Sequence, residues 1–183
     1  MIFLALILGV IVAKIFGNLE LNKMEIKYAG LLFLGVGIDV LLTILTTHDF
    51  GKLTWVFIKY YSFFHILYLT ILGMTLIFNF QSKGLVLMGT GFIMNVIPII
   101  LNGKMPVKYE YLSKIPQQRA EIILNFRSLS HGVFGNPKAY FLSDIIYLPI
   151  PYKTIISVGD IVIAFGLFLA IIIQAGVVFK QET

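Results

Sequence analysis

The sequence predicts an all-α integral membrane protein, and two observations carry that prediction. The first is composition. Hydrophobic residues make up 58% of the chain and charged residues 13%, with a mean hydropathy of +0.93. Soluble domains carry about 25% charged residues, so a water-soluble fold is excluded, whereas lipid-facing surfaces need no charge. The second is the distribution of the apolar residues. They fall into five runs, at about 1–17, 28–47, 53–80, 84–101 and 157–179. A helix needs about 20 apolar residues to cross a hydrocarbon core of about 30 Å, so each run is read as a span. One long segment, 102–156, separates the last two. It holds most of the prolines and seven Lys or Arg against Glu110, Glu121 and Asp144.

The first run has no basic stretch before it and no small-residue cleavage site leading into a soluble domain, so it is read as a retained span. Gly9, Ala13 and Gly17 recur every fourth residue and let another helix approach closely. Lys14 extends this short span by snorkelling. A polar turn with Glu20, Lys23, Glu25 and Lys27 follows. The second span carries Asp39 near its middle, and His48, Asp49 and Gly51 make the next turn. The third, at 53–80, is longer than a bilayer needs, which predicts tilt or projection. Trp55, Lys59, Tyr60 and Tyr61 near its start are the mix expected at an interface. In the fourth, Gly89 and Gly91 allow close packing, and Pro98 removes a backbone donor from the last turn, where it can kink the helix.

Within 102–156, Asn102-Gly103 reads as a turn, with Pro106 setting the exit direction. Residues 116–130 read as an amphipathic helix with Pro116 in its first turn. Ile122, Ile123, Phe126 and Leu129 share its apolar face, and Gly132 is its stop. Asn136-Pro137 is a turn signal. Residues 139–151 are apolar around Asp144 but too short and broken to span, so a re-entrant or interfacial piece is expected. Ser157 and Asp160 have capping-box spacing at the start of the fifth span, and Gly166 and Ala170 offer it a close helix contact.

The short connections place Lys14, Lys23, Lys27, Lys83 and Lys180 on one side, which the positive-inside rule makes cytoplasmic. Segment 102–156 is then extracytoplasmic. The net charge of +5 fits loop lysines near anionic headgroups, and no nucleic-acid partner is expected. The absence of cysteine excludes disulfides, thiolate metal sites and a thiol nucleophile.

Three stretches carry a family resemblance. Asn102-Gly103-Lys104-Met105-Pro106-Val107 resembles an Asn-Gly-Gly-x-Met-Pro-Val signature at the end of a span. Phe141 to Pro149, with Asp144 inside, is similar to Phe-Leu-Gly-Asp-Ile-Ile-Pro-Leu-Pro. Ser157-Val158-Gly159-Asp160 and the residues to Gly166 resemble Ser-x-Gly-Asp-Val-Leu-Ile-Ala-Leu-Gly. All three, in this order, belong to the bacterial membrane proteins grouped as DUF5317. The chain lacks one glycine before Lys104, and Ser143 and Tyr147 replace a glycine and a proline, which touches turn geometry. The resemblance implies a topology and marks Asn102, Gly103, Met105, Pro106, Asp144, Ser157, Gly159 and Asp160 as signature residues. It implies no activity.

Candidate chemistry is sparse. Asp39 is costly in hydrocarbon, so it faces a partner, a polar cavity or a pathway; His65 and Asn95 are its candidate partners. These three would serve a small lipophilic or cationic ligand, or simply fix helix packing. His65 has Tyr61 and Tyr68 within about one turn, and a lone intramembrane histidine more often makes an interhelical hydrogen bond than ligates a cofactor. A zinc site needs converging His and carboxylate groups, and only His131 with Asp144 suggests one, so no metal or cofactor is expected. Helix capping accounts for Asp160, while Asp144 has no comparably simple structural account. No nucleophile elbow, phosphate loop or dinucleotide fingerprint occurs. The expected function is a non-enzymatic accessory or structural subunit that packs with other membrane subunits or with itself. The alternatives are a binding or transport module built on Asp39, His65 and Asn95, and, last, a membrane enzyme using His131, Asp144 and Asp160.

Overall fold

A computed structural model of the chain describes residues 1–17, 26–151 and 153–177. Residues 18–25 of the polar turn expected at 18–27, the end of the last span at 178–179 and the tail 180–183 lie outside the described residues. The apolar runs form helices α1 (Ile2–Phe16), α2 (Ala29–Thr47), α3 (Lys52–Lys59), α4 (Tyr61–Ile77), α5 (Lys83–Asn102) and α7 (Val158–Gln174), with α6 (Gln117–Leu124) between the last two. They pack in the order α1, α7, α5, α4, α2, so α5 is central and the sequence-distant α7 is its largest neighbour.

Small residues set that order. Apolar helices in lipid gain little by hiding from one another, so association rests on close packing. On one face of α5, Gly84 meets the Ala170 backbone, Gly166 meets the Met88 backbone, and a Cβ on Gly91 would stand 2.7 Å from the Gly159 carbonyl. On its other face Gly89 meets the backbone of Gly73 in α4. Gly9 and Ala13 of α1 are buried, and Gly9 rests against Ile171.

Five full-length spans are not what the helices support. Among the described residues only α2 and α5 are long and apolar enough to cross a membrane alone, and α3 with α4 makes a third if the pair counts as one. The continuous helix expected at 53–80 is broken at Tyr60, where α3 and α4 meet at 67°. Twenty-eight residues would overshoot the hydrocarbon at about 1.5 Å per residue. The break leaves α3 as a separate arm with no buried residue, where Lys59 Nζ lies over the Trp55 ring at 4.8 Å. Helices α1 and α7 have 15 and 17 residues, about 22 and 26 Å of rise. Both remain apolar, and Phe3, Phe16 and Phe33 are among many large side chains left exposed.

Segment 102–156 also differs from the all-α expectation. It is a cap with short strands. β1 (Met105–Pro106) pairs in parallel with β2 (His131–Gly132), and Val107 bridges to Asp144 on the other side. β3 (Ile146–Leu148) pairs antiparallel with β4 (Thr154–Ile156). Residues 139–151, expected as a re-entrant or interfacial piece, make a 3-10 turn (Tyr140–Leu142) and a strand. The amphipathic helix stops at Leu124, eight residues in, because Phe126 turns left-handed (φ 58°) and delivers the chain to β2. Pro116 is its N-cap, and of its expected apolar face only Ile123 is buried, together with Ala120. They join Val107, Leu112, Ile115 and Ile155 in a small core within the cap.

The close α5–α7 approach yields a test. A methyl group on Gly159 would overlap the Asn95 amide oxygen, while one on Gly135 would meet nothing within 4 Å. Gly159→Ala is expected to cost about 1–3 kcal/mol through forced repacking, and Gly135→Ala much less. Thermal unfolding of both in mild detergent checks this.

Candidate functional site

The helix ends and the cap enclose an open cavity of about 310 Å³. Pockets that take small ligands start at about 300 Å³. His65 of α4, Asn95 of α5, Arg119 of α6, His131 of β2, Asp144 of the cap and Asp160 of α7 all reach it. Apart from Thr154 the rest of the lining is apolar and includes Leu69, Phe92, Ile99, Met105 and Ile163.

Asn95 is buried one turn after Gly91 and ties α5 to the start of α7. Its Nδ2 donates to Asp160 Oδ1 (2.9 Å), and its Oδ1 accepts from Ser157 Oγ (2.7 Å). Ser157 and Asp160 meanwhile complete a capping box. The Asp160 amide donates to Ser157 Oγ, and the Ser157 amide donates to Asp160 Oδ2, each at 3.0 Å. Gly159 has no side chain because Asn95 occupies that space. Ser157, Gly159 and Asp160 thus form one knot with Asn95.

The Asn102 signature anchors the cap. The Asn102 amide nitrogen donates to the carbonyls of Pro98 (2.8 Å) and Lys138 (2.9 Å), and its Oδ1 accepts from the Lys138 amide (2.9 Å). α5 runs unbroken through Pro98 and closes at Gly103, whose φ of 80° favours glycine. Ser62 Oγ of α4 donates to the Gly103 carbonyl. Met105 packs on Leu69, Val96 and Ile99. The Pro106 carbonyl accepts from the Asp144 amide, and the Asp144 carbonyl accepts from the Lys108 amide, both at 3.0 Å.

Asp144 is 5% exposed. Its Oδ2 lies 3.3 Å from His131 Nε2, while His131 Nδ1 lies 2.7 Å from Ser130 Oγ. Burial raises the Asp144 carboxyl above its usual value of 3.8, the hydrogen bond and charge of His131 pull it back, Asp160 adds to the rise and Arg119 opposes it. The hydroxyl–imidazole–carboxylate row can pass a proton. It does not by itself mark a nucleophile, because Thr47 and His48 make the same neighbour contact at 3.1 Å on the surface. Arg119 Nη1 donates to Thr154 Oγ1 (3.1 Å). Among the described residues no three His, Asp or Glu side chains gather around a point where a metal ion would sit.

The three ligand candidates divide. His65 and Asn95 line the cavity, with the His65 ring stacked on Tyr68 (5.3 Å) and edge-on to Tyr61 (5.5 Å). Asp39 is half-buried on α2, beside Tyr61 and Tyr68, and is not among the cavity residues. Sequence reasoning missed Arg119, which a helical wheel assigns to the polar face and gives no reason to aim at the bundle. Asn79 was missed as well. It is buried, exchanges hydrogen bonds with the Lys27 backbone and donates to the Thr75 carbonyl, clamping the start of α2 to the end of α4.

These features define a mostly helical protein with membrane-length apolar helices under a small mixed cap, its polar groups gathered where the two meet. Residues 23–172 match the model of a family of unknown function, DUF5317, and the chain belongs to that family. No curated protein and no solved structure matches it.

The raised Asp144 carboxyl has a pH consequence. The folded chain holds this proton where the unfolded chain has released it, so this group's stability contribution is full below the ordinary carboxylate value and declines as pH rises toward the folded value. Asp144→Asn is expected to remove that decline, and His131→Leu to deepen it by stripping the group that pulls the carboxyl back. Melting temperatures of the three proteins from about pH 4 upward, at pH steps of about one unit, check the sign.

Proposed function

We propose that the chain is a multi-pass membrane binding module that holds a small ligand between its helix ends and its cap. The observation that carries this reading is the convergence of His65, Asn95, Arg119, His131, Asp144 and Asp160, from α4, α5, α6, β2, the cap and α7, on one cavity with apolar walls. Charged groups on a dry wall are costly unless something repays them, and here they sit where solutes can enter. In this reading α1, α2, α4, α5 and α7 lie in the bilayer and the cap 102–156 faces the extracytoplasmic side. The short α1 and α7 are accommodated by local thinning and by the exposed Lys14 snorkelling from the last turn of α1. The binding set is His65 and Asn95 with Arg119 and Asp144, and Asp39 belongs to the α2–α4 seam beside it.

A second reading, the accessory subunit or homo-oligomer, is favoured by α2. Gly30 and Gly37 lie two turns apart, and a Cβ on either would meet nothing within 4 Å. That leaves a strip on which another helix can approach closely. Native mass spectrometry in mild detergent separates the two readings. A second chain that Gly37→Leu removes supports the subunit, and a monomer with the cavity competent supports the module.

The module reading predicts a saturable rise in melting temperature with at least one class in a panel of small cationic, anionic, zwitterionic and neutral apolar solutes. At a concentration of about 100 Kd the stabilisation is about 2.7 kcal/mol, or several degrees at about 2–4 °C per kcal/mol for a chain of this size. Phe92→Trp, which thickens the cavity wall, is expected to abolish it. A panel without effect on the wild type would end this reading.

A further inference from the structure

Arg119 and Asp144 face the same cavity from different depths. Arg119 is exposed at the mouth, and its bond to Thr154 uses one of five guanidinium N–H donors. Asp144 lies on the floor with one carboxylate oxygen toward His131. The Arg119 charge reaches Asp144, yet among the described residues the ion pairs are Lys108–Glu110 and His131–Asp144, and none joins Arg119 to Asp144. Leu69, Phe92, Ile99, Ile156 and Ile163 supply apolar surface to the same cavity. His65 makes no hydrogen bond with the described residues. Among the described residues no sealed polar side-chain atom lacks a partner, so its ring nitrogens are accessible, and the residue lines the cavity.

A cation and an anion that share a cavity without pairing suit a ligand that carries both charges. We infer that the cavity binds a small zwitterion, with its carboxylate on Arg119, its ammonium on Asp144 and an apolar body against the wall. This assignment rests on the binding-module reading above and names its ligand class. A guanidinium holds a carboxylate through two parallel N–H donors, and a buried carboxylate is repaid for its lost water by a cation that hydrogen-bonds to it. His65 takes a further ammonium proton as acceptor. A plain amine leaves Arg119 without its partner, and a plain acid leaves Asp144 without one.

The test titrates the full chain in mild detergent with leucine, isoamylamine and isocaproate, which share an isobutyl group and differ in charge. Leucine is expected to bind tighter than either analogue by about tenfold or more, as expected for one hydrogen-bonded charge contact. Arg119→Gln should bring leucine down to the level of isoamylamine, and Asp144→Asn to the level of isocaproate. Melting temperatures without ligand establish that each variant is folded before its affinity is read. Equal affinity for all three solutes, or leucine binding unchanged in both variants, overturns the zwitterion and leaves the module standing. So does silence toward leucine while another solute of the wider panel binds. No saturable binding by any solute overturns both.

Discussion

One carboxamide holds the structure at its centre. Asn95 accepts from Ser157 and donates to Asp160, so the central helix grips the first turn of the helix beside it at the level where the cap begins. The grip works because Gly91 and Gly159 carry no Cβ to hold the two backbones apart. Each hydrogen bond contributes modestly, about 0.6 kcal/mol on average between membrane helices. The geometric effect is larger. The knot fixes where α7 starts, hence where β4 ends, hence where β3 and the Asp144 turn lie over the bundle.

The same knot explains why polar groups tolerate a place at the end of an apolar bundle. Asp160 is satisfied on both oxygens by the Asn95 amide and the Ser157 backbone, so its charge is held by donors rather than left bare. Asp144 is supported differently. Its backbone is pinned between Pro106 and Lys108, and its side chain leans on one imidazole. One carboxylate is a fastening and the other is held out toward an open space. That difference makes the second a candidate for binding and the first a candidate for architecture.

Much of this was legible in the chain. Apolar runs marked the helices, and capping-box spacing marked the start of α7. The glycines that seat α5 on α7 and α4 were visible as small residues, though not as matched pairs. What escaped followed from contacts across long sequence separations. The break at Tyr60 was hidden because Lys59, Tyr60 and Tyr61 read as an interface at the start of a long apolar run, and hydropathy does not register a bend. The strands in the cap are two or three residues long, too short for an alternating pattern. Asp39, His65 and Asn95 looked alike by depth along their spans, but helix rotation puts two of them on the cavity and the third against Tyr61 and Tyr68. The His131–Asp144 pair was suggested by residue type alone, and the strand register that seats them on either side of 105–107 could not be read in advance.

The order of the helices in space has a consequence for synthesis. α4 and α5 are joined by a short turn and can pair as soon as both have emerged, but the partner on the other flank of α5 is α7, which the ribosome delivers only after the whole cap. Until then the glycine face of α5 is bare and Asn95 has neither of its partners. The cap can fasten early, through Asn102 and Lys138, yet the chamber beneath it lacks a wall until α7 slides in. The cavity therefore closes only when α7 arrives, and a nascent chain halted before Ser157 would present a lid without a room.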